Sequence, residues 1–123
     1  MKDPEPIAWL PKPEDHNYPA ALSYLSLLYP DAEAAELVAK LRKAKVREFK
    51  AKDIFRASQL SLLGVSNLHV KKDRKKIRKG IHLSPLLLVR DQEHRRVVIA
   101  DGYHRLCAIY QTHEDIWIRC KIV

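Results

Sequence analysis

The residue types best suited to chemistry stand together in Val98-Ile99-Ala100-Asp101-Gly102-Tyr103-His104-Arg105, an apolar run that ends in a polar cluster where a helical pattern begins. The first amides of a helix have no partner within it, and its dipole places roughly half a positive charge there, so an anion is favoured before any side chain acts. Gly102 allows a tight strand-to-helix turn and close backbone approach. His104 and Arg105 add donors at the same end, and a guanidinium can grip two phosphate oxygens in its plane. Asp101, beside them, could hold a divalent cation or accept a proton from a substrate hydroxyl. The chemistry these residues suit is phosphate recognition. Phosphoryl transfer would need a further acid, for which Glu48 and Asp53 are the candidates.

A second cluster is electrostatic. Lys71, Lys72, Arg74, Lys75, Lys76, Arg78 and Lys79 surround the single acid Asp73, and they supply most of the chain's net charge of +8. Residues 1–66 balance to +1 and residues 67–123 to +7. Such a run can neutralise a nucleic-acid backbone, steer phosphates, or only face water. It contains no aromatic residue to stack on bases, so nonspecific contact with nucleic acid is the expectation rather than sequence readout.

Other chemistry is excluded by spacing. His69, His82, His94 and His113 stand singly, and Cys107 and Cys120 form no CxxC pair, so no dedicated metal motif or disulfide framework is expected. A reducing, cytoplasmic setting follows. No apolar run nears the roughly 20 residues of a membrane span, and Met-Lys-Asp-Pro-Glu-Pro does not open a secretory signal.

The elements that must position these residues can be read from periodicity. With 123 residues, 46% of them apolar, one compact unit is expected. Five of the seven prolines lie in the first 19 residues, which predicts an extended arm anchored by Ile7 and Trp9. Apolar residues at three- and four-residue spacing predict a helix over 20–29, ended by Pro30, and a second helix capped by Asp31 with Ala34, Leu37, Val38 and Leu41 as its stripe. Together they form a helical hairpin in residues 1–45.

A short strand follows over 46–51, then a helical turn over 53–58, and strand or loop over 59–65. Ser66 or Asn67 is expected to cap the basic helix, whose stripe is Leu68, Val70 and Ile77 and whose C′ residue is Gly80. Pro85 to Arg90 reads as a central strand, Asp91 to His94 as a turn and Arg96 to Ala100 as its hairpin partner. Tyr103 to Gln111 is a helix. Ile116, Ile118, Cys120 and Ile122 alternate with Trp117, Arg119 and Lys121 in a last strand.

From residue 45 to 123 this order resembles the ParB/sulfiredoxin-like superfamily: strand, basic helix ending in Gly80, Leu83-Ser84-Pro85-Leu86-Leu87-Leu88-Val89, hairpin, Asp-Gly-Tyr-His-Arg, helix, strand. The resemblance implies an α+β fold with a small mixed sheet and packed helices over 46–123, to which the N-terminal hairpin is added. Sulfiredoxins carry Gly-Gly-Cys-His-Arg at this point. Tyr103 occupies the cysteine's position here, so the sulfinate-reductase reaction loses its nucleophile, and Cys107 lies a helical turn too far on. The ParB box Gly-Glu-Arg-Arg is also absent. A kinase branch that phosphorylates free serine carries Asp-Gly-His-His-Arg, against which Asp101, Gly102, His104 and Arg105 match.

What the resemblance implies is ATP, ADP or CTP with magnesium, or another phosphorylated ligand, held by Gly102, Tyr103, His104 and Arg105, with the basic helix near the pocket and one or two of Lys71, Lys75 and Arg78 placed to steer or touch phosphates. Phosphotransfer or nucleotide hydrolysis is the activity it would support. The competing reading is a noncatalytic nucleic-acid module using the helix over 67–79. In the plainest reading His104 and Arg105 bind nearby carbonyls or the carboxylates of Glu114 or Asp115, and Asp101 only caps the helix.

Overall fold

The computed structural model describes residues 7–63 and 67–123. Four strands, β1 (Arg47–Lys50), β2 (Leu86–Asp91), β3 (Arg96–Asp101) and β4 (Trp117–Ile122), form one sheet in the order β1-β4-β2-β3. The central pair β2 and β4 is parallel, and the outer pairings β1 with β4 and β2 with β3 are antiparallel. The helices are α1 (Asn17–Leu25), α2 (Asp31–Lys43), α3 (Ala51–Ser58), α4 (Leu68–Arg78) and α5 (Tyr103–Thr112). The architecture is α+β with a mixed sheet.

Strands β2 and β3 are covered on both sides. Leu86, Leu88, Ile99, Ile118 and Cys120 pack beneath α3, α4 and α5, whereas Leu87, Val89, Val98 and Ala100 pack beneath the α1–α2 hairpin. A strand buried on both faces cannot alternate apolar with polar residues, which is why Leu86 to Val89 form an unbroken apolar run. The arm also joins the core. Trp9 bridges to Leu83, Leu10 N–H donates to the Leu83 carbonyl at 2.8 Å, and Leu83 N–H donates to the Ala8 carbonyl at 2.8 Å.

Local signals explain most boundaries. Asn67 caps α4, its Oδ1 accepting from the amides of His69 at 3.0 Å and Val70 at 3.2 Å. At the other end Gly80, at φ +70°, lets Ile81 N–H reach the Lys76 carbonyl and Gly80 N–H the Ile77 carbonyl, a Schellman closure that uses the last free carbonyls.

Four expectations change. α1 starts at Asn17 rather than 20 and ends at Leu25, because Pro19 lies in the first helical turn, where its missing N–H has no partner to lose. Asp31 is the first residue of α2, not its cap; Pro30 takes the cap position, and Asp31 and Glu33 act only through the helix dipole. Leu68 is exposed, so the buried stripe of α4 is Val70 and Ile77. Residues 59–63 are loop, and the remainder of that segment, with Ser66, lies outside the described residues.

Lys121 is a fifth difference. It lies on the polar side of the β4 alternation, yet it is buried, with Nζ donating to Tyr18 Oη at 2.9 Å and to the Arg42 carbonyl at 3.0 Å. The α1–α2 hairpin covers that end of β4. The ammonium also lies 5.5 Å from the centre of the Tyr18 ring, whose face favours a cation.

If the hairpin is an integral layer, Leu87→Ala beneath it and Leu88→Ala on the opposite face should both be severe. Each is expected to lower the unfolding free energy by about 2–5 kcal/mol in denaturant titrations. A near-neutral Leu87→Ala would mean that the hairpin contributes little to the core.

Candidate functional site

Helix α5 starts where β3 ends, and Gly102 is the hinge between them. Its φ of +108° is left-handed backbone that side chains disfavour, and a Cβ here would lie 2.7 Å from both Leu86 Cγ and an Arg105 terminal nitrogen. The glycine lets the Arg105 guanidinium lie against the turn. From there Arg105 donates to Asp101 Oδ2 at 2.8 Å, while its Nε is buried with no partner among the described residues. Asp101 is therefore the guanidinium's counter-ion. The cap position belongs to Gly102, with no side-chain capping bond, so Asp101 does not cap α5.

This turn forms one wall of a cavity of about 280 Å³. Gly102, Tyr103, His104 and Arg105 line it from the helix start, Asp101 from the strand end, and Asp73 and Lys76 from α4. His82, Leu83 and Ser84 enter from the segment before β2, and Glu14, His16 and Asn17 from the end of the arm. The arm is fastened there: buried Ser84 donates its hydroxyl to Glu14 Oε1 at 2.9 Å, and Glu14 N–H donates to Asn17 Oδ1 at 2.9 Å.

The electrostatics are mixed rather than simply basic. Lys76 and Arg105 face three carboxylates, Glu14, Asp73 and Asp101. Burial pushes the Asp73 carboxyl up, against the pull of Lys76, Arg105, His104 and His69, and Lys76 Nζ lies 3.9 Å from its Oδ1. Burial pushes the His104 imidazole down, and so does His69, whose ring centre is 4.7 Å away; Asp73 opposes both. Both effects favour the neutral form of His104. Tyr103 lines the cavity but sends its hydroxyl to the Ser61 carbonyl, and burial raises its pKa. Cys107 is fully buried, which pushes its thiol up and disfavours the thiolate that a nucleophile requires.

The sequence-derived candidates divide clearly. Asp101, Gly102, Tyr103, His104 and Arg105 come together as expected. Glu48 does not join them: it is exposed on β1, at the opposite sheet edge from β3, facing Arg119 across the ladder. Asp53 pairs with Arg56 and borders a separate hollow of about 240 Å³. Glu114 and Asp115 do not hold Arg105 either, since Asp101 does; Asp115 pairs with Lys52 at 2.7 Å.

Of the basic run only Lys76 lines the cavity. Arg74 donates to Gln111 Oε1 at 3.4 Å, and Lys71, Lys72, Lys75, Arg78 and Lys79 face water. Lys71, Lys75 and Arg78 therefore do not line the cavity; burial of Val70 and Ile77 turns a different stripe toward the turn. That stripe is His69, Asp73 and Lys76, legible as i, i+4, i+7, although nothing local shows which stripe faces inward. Glu14, His16 and His82 carried no sequence signal, because the arm's path creates their proximity.

Among the described residues, no group of three or more His, Cys, Asp or Glu side chains is placed to hold a metal ion, and no helix is long and apolar enough to cross a membrane.

Two outcomes follow from this geometry. Gly102→Ala combines a disfavoured φ with contact against Leu86, and should lower the unfolding free energy by about 2–4 kcal/mol in a denaturant titration. The lowered pKa of His104 means that the unfolded chain takes up this proton first as pH falls. Its contribution is thus intact above the ordinary histidine range and is lost as pH falls through it, so His104→Asn should flatten the decline in melting temperature between about pH 7 and pH 5. An unchanged decline would assign the acid sensitivity to other groups.

No family model, no curated protein and no solved structure matches the chain.

Proposed function

We propose that the protein is a ParB/sulfiredoxin-like domain that binds a nucleotide or another phosphorylated ligand at the strand-to-helix turn 101–105. The observation that carries this reading is convergence: the start of α5, Arg105 and His104 meet Lys76 of a second helix around one polar cavity. The amides at a helix start, a guanidinium and an ammonium are the donor set that phosphate oxygens satisfy. The element order from β1 to β4, with Gly80 closing the basic helix, supports the family reading.

The carboxylates refine the ligand class. A bare anion would meet Asp73, Asp101 and Glu14 as well as the cations, whereas a magnesium-bound phosphate chain brings positive charge of its own. Magnesium is commonly held by one or two carboxylates together with phosphate oxygens, so Asp73 and Asp101 suit an ion that arrives with the ligand. Bound there, it would neutralise charge on the phosphate oxygens. Phosphotransfer or hydrolysis is the activity such a site would support, with Glu14 replacing Glu48 as the nearest additional acid. Sulfinate reduction is not proposed, because Tyr103 stands at the nucleophile's position.

Thermal melting with ATP, ADP, CTP and inorganic phosphate, each with and without magnesium, tests this reading. Ligand at 100 times its dissociation constant should stabilise the fold by about 2.7 kcal/mol. Lys76→Ala should weaken the shift without disturbing the turn, and Arg105→Lys should weaken it through loss of the planar fork. No shift with any of these ligands would sink the proposal.

A further inference from the structure

The hairpin side of the sheet is covered unevenly. α1 and α2 bury Leu87, Val89, Val98 and Ala100 of β2 and β3, and in β4 they bury Lys121. Side chains alternate along a strand, so Ile118 and Cys120 of β4 face the α3–α5 core while Trp117 and Arg119 face the other way. The β1–β4 register sets Glu48 beside Arg119 and Lys50 beside Trp117 on that same side. This half of the sheet is only partly covered: Trp117 and Glu48 are exposed, Lys50 and Arg119 half-buried. Trp117 is 53% exposed, with Lys50 Nζ 5.4 Å from its ring centre, and Arg119 has a buried Nε with no partner among the described residues.

The chain leading into this face is basic: Lys43 and Lys45 precede β1 and are exposed, Lys50 stands on the face with the acid Glu48, and Lys52 opens α3, whereas Arg47, opposite Cys120 and over the Phe49 ring, lies on the α3–α5 side and Arg42 lies over the Tyr18 ring. Asp115 offsets part of this by pairing with Lys52 and, at 3.9 Å, with Lys50. Sheet order puts β1 at the opposite edge from β3, so this face is separate from the cavity.

We propose that the β1–β4 face binds single-stranded nucleic acid, with a base stacked on Trp117 and phosphates met by Lys50, Arg119 and the basic chain leading into the face. An exposed indole on a flat sheet offers a stacking surface to any base, and adjacent cations track the backbone. Charge complementarity selects a polyanion over an apolar protein surface, since the exposed Trp117 ring has the Lys50 ammonium over it and Arg119 two residues along the same face. Stacking selects single strands, because the base faces of a duplex are already occupied by their neighbours. The exposed cations of α4 lack such an aromatic residue, so the two basic surfaces differ in what they can distinguish.

Fluorescence anisotropy of labelled oligothymidylate or oligouridylate of about 20 nucleotides, with tryptophan quenching read alongside, tests this directly. Binding is expected at low salt and should weaken as salt rises. Trp117→Ala should weaken it at least about fivefold and abolish most of the quenching, while Trp117→Phe should retain most of the affinity. Lys50→Glu should weaken binding and reduce the salt slope. Both substituted side chains lie at the surface, and unchanged melting of either variant keeps the comparison valid. Absence of binding at low salt would overturn the proposal, as would duplex binding as tight as single-strand binding. So would affinity that survives Trp117→Ala but falls on charge reversal at Lys75 and Arg78.

Discussion

Leu86, Leu87, Leu88 and Val89 are almost wholly withdrawn from water, and consecutive residues of a strand can achieve this only if both faces of the sheet are covered. With each buried aliphatic side chain contributing about 1.5–3 kcal/mol, this strand requires a helical layer above it and another below. α3, α4 and α5 form one layer and the α1–α2 hairpin the other. Both candidate binding surfaces follow from that requirement. The helix layer brings α4 against the start of α5 and creates the cavity. The hairpin covers β2, β3 and the end of β4, and leaves Trp117 and Glu48 of the β1–β4 half exposed.

The cavity owes its character to the junction at Gly102. Only a residue without a Cβ fits between Leu86 and Arg105, and that fit brings the guanidinium back over the turn to Asp101. Arg105 is thereby fixed at the helix start by its own carboxylate partner. Asp73 and Lys76 supply a second, looser pair from α4, and the His104 ring, tilted against that of His69, is pushed toward its neutral form by burial.

The net charge of +8 divides into parts with different physical settings. Most of the basic helix faces water, one of its lysines faces the cavity, and a second basic stretch over 42–52 borders an exposed indole. Lys121 is a separate case, a buried ammonium held by a tyrosine hydroxyl, a carbonyl and an aromatic face. Counting charges along the chain does not separate these settings, because burial and neighbours decide what each charge does.

Much of the fold was legible because its signals are local. The unbroken apolar run of β2 marks a strand covered on both sides, Asn67 and Gly80 bracket α4, and Asp101-Gly102 marks the change from strand to helix. The grouping of Asp101, Gly102, Tyr103, His104 and Arg105 was legible for the same reason, since adjacent residues at a helix start are neighbours in any fold. The tertiary structure alone decided that Glu48 stands at the far edge of the sheet, that Glu14 and His16 enter the cavity, that Lys76 rather than Lys75 faces it, and that Lys121 is buried. Each of these depends on strand order, on the arm's path or on the rotation of a helix about its axis. Those are set by how distant apolar faces pack together, and packing is a property that no window along the chain contains.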